Sequence, residues 1–140
     1  MSGKQKSNCP INLSLELIGD RWTLLIIRDM MFVGKKHFRE FLQSDEGISS
    51  RTLADRLQTL LEEGIVTRHD DPGHKLKAVY RLTQAGIDLL PVLVDLGCWG
   101  GRYRAADPEL GAVAEELVAG GTEAIAQMKR RLASEQFGAE

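Results

Sequence analysis

The hydrophobic period of this chain changes twice, and the two changes bound what it can fold into. Up to Glu63 apolar residues recur at helical spacing, from Ile65 to Thr83 they alternate in short β-branched segments, and from Gln84 helical spacing returns. A helix buries a stripe of period about 3.6 and a half-buried strand buries every second residue, so no single segment satisfies both. The resulting order is helix, helix, helix, hairpin, helix. This predicts a mainly α fold with one small β-hairpin.

Capping residues punctuate that order. Asn12 is placed to cap a short helix, Leu13 to Ile18, which Gly19 ends. Asp20 is placed to cap a helix from Arg21 to about Phe32, apolar over most of its circumference through Trp22, Leu25, Ile26, Ile27, Met30 and Met31. Such a helix is buried on several sides. A short helix, His37 to Gln43, precedes the polar turn Ser44-Asp45-Glu46-Gly47 and an apolar Ile48. Ser49 or Ser50 caps the next helix, which runs to about Glu63 on a stripe of Leu53, Leu57, Leu60 and Leu61. The hairpin strands are expected at Ile65–His69 and Lys77–Thr83, around a turn centred on Pro72-Gly73. Thr83 caps a helix to about Trp99, lined by Ile87, Leu90, Val94 and Leu96, with a kink or break at Pro91. A last helix is expected from Pro108 to Ala133, interrupted at Gly120-Gly121, with Leu110, Val113, Leu117, Ile125, Met128 and Leu132 along one face.

Composition excludes several classes. The first ten residues are polar, and the longest apolar run, Leu24 to Ile27, stops at Arg28-Asp29. Neither a signal peptide nor a membrane span of about 20 residues fits that pattern, so a cytoplasmic protein is expected. Cys9 and Cys98 lie far apart and read as free thiols. With His37, His69 and His74 they show no paired metal-ligand spacing, and no metal or cofactor is expected. No nucleophile–base pairing or Gly-rich phosphate loop stands out, so no enzymatic activity is expected. The net charge is −2 overall, but residues 1–104 hold 15 basic against 13 acidic side chains and residues 105–140 hold 3 against 7. That asymmetry suits a DNA-contacting body, 1–104, with an acidic helical extension, 105–140, that serves self-association.

Three helices followed by a hairpin make a winged helix-turn-helix. In that arrangement Phe38, Phe41 and Ile48 pack on Leu53 and Leu57, and the opposite face of the Ser49–Glu63 helix is offered to the DNA major groove. On that face the sequence places Ser49, Ser50, Arg51, Thr52, Asp55, Arg56 and Thr59. Hydroxyls suit phosphates, and arginine pairs bidentately with guanine. Asp55 is expected to orient Arg51 or Arg56. Arg68, His74, Lys75 and Lys77 gather on the wing, where cations reach flanking phosphates, while Asp70 and Asp71 dilute the effect. His37 opens its helix and reads as a DNA-side or capping residue. A charged helix face is also what any solvated helix shows, and winged helices serve as protein-interaction modules without DNA affinity. The basic outer face is the feature that favours DNA.

The chain resembles the HxlR family of bacterial winged-helix regulators. The resemblance is carried by Cys9-Pro10-Ile11, Leu17-Ile18-Gly19-Asp20-Arg21-Trp22, His37-Phe38-Arg39-Glu40-Phe41 and Gly47-Ile48-Ser49. It continues through Leu53, Arg56-Leu57, Leu61-Glu62-Glu63-Gly64-Ile65-Val66, Tyr80-Arg81-Leu82-Thr83-Gln84-Ala85-Gly86 and Trp99-Gly100. Together these cover residues 9–101. The resemblance implies a homodimeric transcription regulator, expected to repress, on a pseudo-palindromic operator. It makes Ser49–Glu63 the recognition helix and Thr67–Tyr80 the wing. It implies dimer contacts from the first helix and the C-terminal helices, for which Leu13, Leu17, Trp99, Leu110, Val113, Leu117, Ile125 and Met128 are the candidates. Some members respond to electrophiles or oxidants through a thiol near the N-terminus, and Cys9 occupies that position, with Lys4 and Lys6 close by in sequence to favour a thiolate. Cys98 reads as packing. A small-molecule pocket at the dimer interface, near Trp22, Met30, Met31 and Trp99, is the other effector site considered.

Overall fold

The computed structural model describes residues 7–71 and 73–138, with only the backbone course given at 74–76. Helix α1 spans Pro10–Ile18 and so starts before the expected Leu13. Proline lacks the N–H that a first helical turn leaves unsatisfied, which fixes the start at Pro10 and makes Cys9 the N-cap. Asn12, expected to be that cap, lies inside the helix, and its amide donates to the Ser7 carbonyl and the Glu16 carboxylate. No α1 side chain is buried.

Helix α2 spans Arg21–Arg28 under the cap expected of Asp20, whose Oδ2 accepts the Trp22 and Thr23 N–H groups at 3.0 Å. The helix was expected to run on to Phe32. Instead a π-helical turn, Asp29–Val33, follows and closes at Gly34 with φ +80°. The Arg28-Asp29 pair is therefore no interruption of the core. Asp29 is 3% exposed, and its carboxylate takes Arg28 on Oδ1 at 2.7 Å and Lys35 on Oδ2 at 3.2 Å. The other edge of Arg28 holds Glu46 at 2.8 and 2.9 Å. A buried charge persists only when paired in this way.

Helix α3 is short, Phe38–Phe41, with His37 at its N-cap position. Helix α4 spans Ser50–Glu62, and Ser49 caps it by accepting from Thr52 N–H at 3.1 Å. Strands β1 (Val66–Asp71) and β2 (His74–Leu82) pair antiparallel, with Val66 opposite Leu82 and Arg68 opposite Tyr80. They reach further towards the tip than expected, because Asp71 pairs with His74 across a bulge at Asp70/Asp71. The Pro72 of the expected turn lies outside the described residues. Tyr80 N–H donates to the Lys36 carbonyl, so the segment before α3 lies along the free edge of β2.

Thr83 caps α5 (Gln84–Ile87) and donates to the Gly64 carbonyl at 2.7 Å. A Cβ at Gly86 would stand 2.6 Å from the Ile65 carbonyl oxygen, so this close helix–strand approach requires glycine. The break expected at Pro91 occurs just before it, and α6 spans Leu90–Tyr103 with Pro91 in its first turn. The break resets the buried face: Leu90, Val94 and Cys98 point inward, whereas Leu96, expected to line the helix, is exposed.

Helices α7 (Pro108–Ala119) and α8 (Gly121–Ala133) are separated at Gly120 and Gly121, the latter at φ +72°. They fold back rather than project away: α7 packs on α6 and α8 on α5. Ala114, Met128 and Leu132 belong to the same core as Ile27, Phe41, Leu53 and Leu57. Gln136 Oε1 accepts the Leu82 N–H at 2.8 Å and ties the end of the chain to the wing strand. Among the described residues no helix is long and apolar enough to cross a membrane.

Candidate nucleic-acid interface

Leu53, Leu57 and Leu60 of α4 are buried, with Phe41 and Ile48 in the same core, and this decides which side chains α4 turns outward. Ser49, Ser50, Arg51, Ala54, Asp55, Gln58 and Glu62 are exposed. Of the residues expected on this face, Ser49 doubles as cap and donates to the Thr52 hydroxyl, while Ser50 and Arg51 are exposed at the N-terminal turn. Thr52 and Thr59 are half-buried, and the Thr59 hydroxyl donates back to the Asp55 carbonyl.

Arg56 is half-buried and paired. Its Nε lies 3.3 Å from Asp20 Oδ2, so Asp20, not Asp55, is the carboxylate that holds it. Burial pushes the Asp20 carboxyl up, but the Thr23 hydrogen bonds, the Arg56 charge and the Trp22 N–H outweigh it and hold the group below its ordinary value. Gln58 was not expected at the interface. Its amide donates to Glu62 at 3.1 Å, and only its place one turn beyond Ala54 could have revealed it.

The wing presents Arg68 and Lys77, both exposed. Lys75 lies on β2, and its side chain and that of His74 fall outside the described residues. His37 does not stand free: Nε2 is 2.9 Å from Asp71 Oδ2 and Nδ1 is 3.4 Å from Glu40, so the ring clips the wing to α3. Glu40 accepts the Lys36 N–H at 2.8 Å and the His37 N–H at 2.9 Å. The Lys36 N–H is the main reason its carboxyl sits below the ordinary range, and the His37 N–H and ring add to it against a cost of burial.

The two thiols differ. Cys9 is exposed at the N-terminus of α1, where the N–H groups of Asn12 and Ile11 draw its pKa down. Cys98 is buried, and burial together with Glu115 pushes its thiol up. Lys4 and Lys6 lie outside the described residues. No group of three His, Cys, Asp or Glu among the described residues is arranged to hold a metal ion.

An apolar surface lies away from α4. Trp99 and Tyr103, 59% and 69% exposed, lie side by side on α6 with ring centroids 5.5 Å apart and planes tilted by 43°. Leu110 and Val113 of α7 and Ile11 and Leu15 of α1 are also exposed. Of the other dimer candidates, Leu13, Leu17, Leu117 and Ile125 are half-buried, and Met128 is spent in the chain's own core. Met30 and Met31 are likewise core residues rather than pocket walls.

A capped helix with a polar outer face, set across a turn from α3 and beside a two-stranded wing, defines a winged helix-turn-helix. The chain belongs to the HxlR-like helix-turn-helix family, which matches residues 17–108. It is 41% identical over 93 residues to an uncharacterized HTH-type transcriptional regulator of Mycobacterium tuberculosis, a match covering 66% of this chain and 58% of the relative. The chain thus spans less than two thirds of that relative's length. It is 34% identical over 96 residues to the HTH-type transcriptional regulator YodB of Bacillus subtilis, covering 68% of this chain and 85% of YodB. Reduced YodB superposes with a TM-score of 0.57 at 33% identity, over 72% of this chain and all of that one. The redox regulator HypR in its reduced form superposes with a TM-score of 0.60 at 33% identity, over 69% of this chain and 94% of that one. YodB is also known in quinone-bound and diamide-treated structures.

Proposed function

We propose that this chain is a sequence-specific DNA-binding regulator of transcription, most simply a repressor, acting in the cytoplasm as a homodimer on a pseudo-palindromic operator. The observation that carries this reading is the outward row of α4, Ser50, Arg51, Ala54 and Gln58, flanked by Arg68 and Lys77 of the wing. In a major groove Arg51 reads guanine and Gln58 adenine, since both side chains offer bidentate contacts to those bases. The wing cations meet flanking phosphates. Residues 1–104 do this work, and 105–140 add to self-association through the exposed face of α7, next to Trp99 and Tyr103 of α6 and α1 of the partner copy.

Cys9 is the thiol through which an oxidant or electrophile acts, because exposure and a lowered pKa are the two conditions for reactivity. Selection of bound duplexes from a random-sequence pool tests the reading. An inverted repeat with half-sites about 34–36 Å apart is expected, and diamide should release it from the wild type but not from Cys9→Ser. A pool that yields no shared sequence favours a protein-interaction module instead.

A further inference from the structure

The outer half of the wing returns to the body through a histidine. A two-stranded hairpin standing alone is marginally stable, so its pose has to come from what it packs on. Near the base the core supplies this: Val66, Val79, Tyr80 and Leu82 are buried, and the Tyr80 N–H donates to the Lys36 carbonyl at 2.8 Å. Further out, Arg68, His69, Asp70 and Lys77 are exposed. There Asp71 Oδ2 lies 2.9 Å from His37 Nε2, and the two side chains are only 18% and 17% exposed. An ionised carboxylate only accepts, so Nε2 carries the proton in this contact. The other carboxylate oxygen of Asp71 accepts the Gly73 N–H at 2.8 Å and shapes the tip. On the α3 side the histidine is fixed in turn. Its N–H donates to Glu40 at 2.9 Å, and Phe41 of the same helix is buried with its ring edge-on to Tyr80. Lys77 thus lies on β2 between two ties, the Tyr80–Lys36 hydrogen bond on one side and Asp71, opposite His74, on the other.

We infer that His37 and Asp71 are positioning residues of the DNA interface: their contact sets where Arg68 and Lys77 stand relative to the recognition helix, without either residue touching DNA. The inference rests on the DNA reading above and deepens it. It reverses the role expected of Asp71 from the sequence. A bare carboxylate on the wing repels phosphate, so its removal would tighten binding. Where the carboxylate anchors the wing, its removal loosens the cations and weakens binding. The sign of the effect separates the two roles.

Two substitutions of His37 divide the work of its ring. Asparagine keeps a capping side chain at the head of α3 but stops short of Asp71, whereas glutamine places an amide donor near the position of Nε2. Amide hydrogen exchange of the full chain without DNA, followed by NMR, tests the clip. In His37→Asn residues 68–71 and 77–79 should exchange at least about fivefold faster with α4 protection unchanged, and in His37→Gln near the wild-type rate. Since no DNA is present, this outcome is independent of whether the chain reads an operator. On a labelled duplex, His37→Asn should flatten the slope of log affinity against log salt by about one to two, the share of Arg68 and Lys77, and His37→Gln should restore it. Asp71→Ala should weaken binding at least about threefold, whereas Asp70→Ala, an equal charge removed from the exposed neighbour, should tighten it. Unchanged exchange in His37→Asn, or equal loosening in His37→Gln, would overturn the clip. A loosened wing at unchanged salt slope, or tighter binding by Asp71→Ala, would overturn its role at DNA. A wild type that binds no duplex overturns the DNA reading and this role with it, while the exchange result still decides the clip.

Discussion

Arg56 Nε lies 3.3 Å from Asp20 Oδ2, so the carboxylate that caps the central helix α2 also holds the recognition helix α4. The Nε atom is buried and has no hydrogen bond of good geometry, which leaves the Asp20 charge as its compensation. Asp20 is also close to the end of α1, whose exposed side chains suit contact with a second copy.

Asp20→Ala removes a cap that serves two N–H groups and the Thr23 hydroxyl. The expected loss is about 1–2 kcal/mol, read from the urea midpoint at unchanged m. Asp20→Asn keeps a good capping side chain and loses only the charge opposite Arg56. That pair is partly solvated, so the remaining deficit should be about 0–1 kcal/mol. An Asn variant as unstable as the Ala variant would show that the ion pair, not the cap, dominates.

Arg28 hydrogen bonds hold the Glu46 carboxyl at about 2, against a smaller cost of burial. The folded pKa is depressed, so the stabilisation is complete above the ordinary glutamate value of 4.5 and fades as pH falls towards about 2. Denaturant titrations should show wild type more stable than Glu46→Gln at pH 6, with the gap closing steadily below pH 4.5. A gap that is constant across this window would mean that the Arg28–Glu46 pair contributes nothing to stability.

Thiol reactivity should separate the cysteines. Cys9 is exposed with a lowered pKa, while Cys98 is buried with a raised one. At pH 7, mass spectrometry of iodoacetamide-treated native protein should show Cys9 alkylated at least about tenfold faster. Equal rates would remove the basis for Cys9 as a sensor.

Trp99 and Tyr103 form the most exposed aromatic surface of the chain's described part. A charge there opposes burial against a second copy. Light scattering after size exclusion should give a dimer for the wild type and a monomer for Trp99→Glu, with the far-UV spectrum retained. A wild-type monomer at tens of micromolar would contradict the dimer.

Much of this was legible in the sequence because it is local. Asp20, Ser49 and Thr83 cap the helices they precede, Pro91 breaks the chain before α6, and the change of period marks the hairpin. What could not be read depends on partners distant in the chain. Arg56 shows no partner until Asp20 is beside it, and Asp29 looks like the end of a core helix until Arg28 and Lys35 neutralise it. The apolar stripe from Leu110 to Leu132 was visible, but which part serves the chain's own core depends on the fold-back at Gly121: Leu132 is fully buried and Leu110 is 75% exposed.

Anisotropy of a labelled duplex from upstream of the chain's own gene, against a scrambled duplex and between 50 and 200 mM salt, decides whether α4 reads sequence. The wild type should bind the upstream duplex at least about 10³-fold more tightly than the scrambled one, with affinity falling steeply as salt rises. Arg51→Ala should cost about 1–3 kcal/mol on the upstream duplex and little on the scrambled one. Equal affinity for both duplexes, near the non-specific level of about 10⁻⁴–10⁻⁶ M, would contradict sequence-specific regulation by this chain.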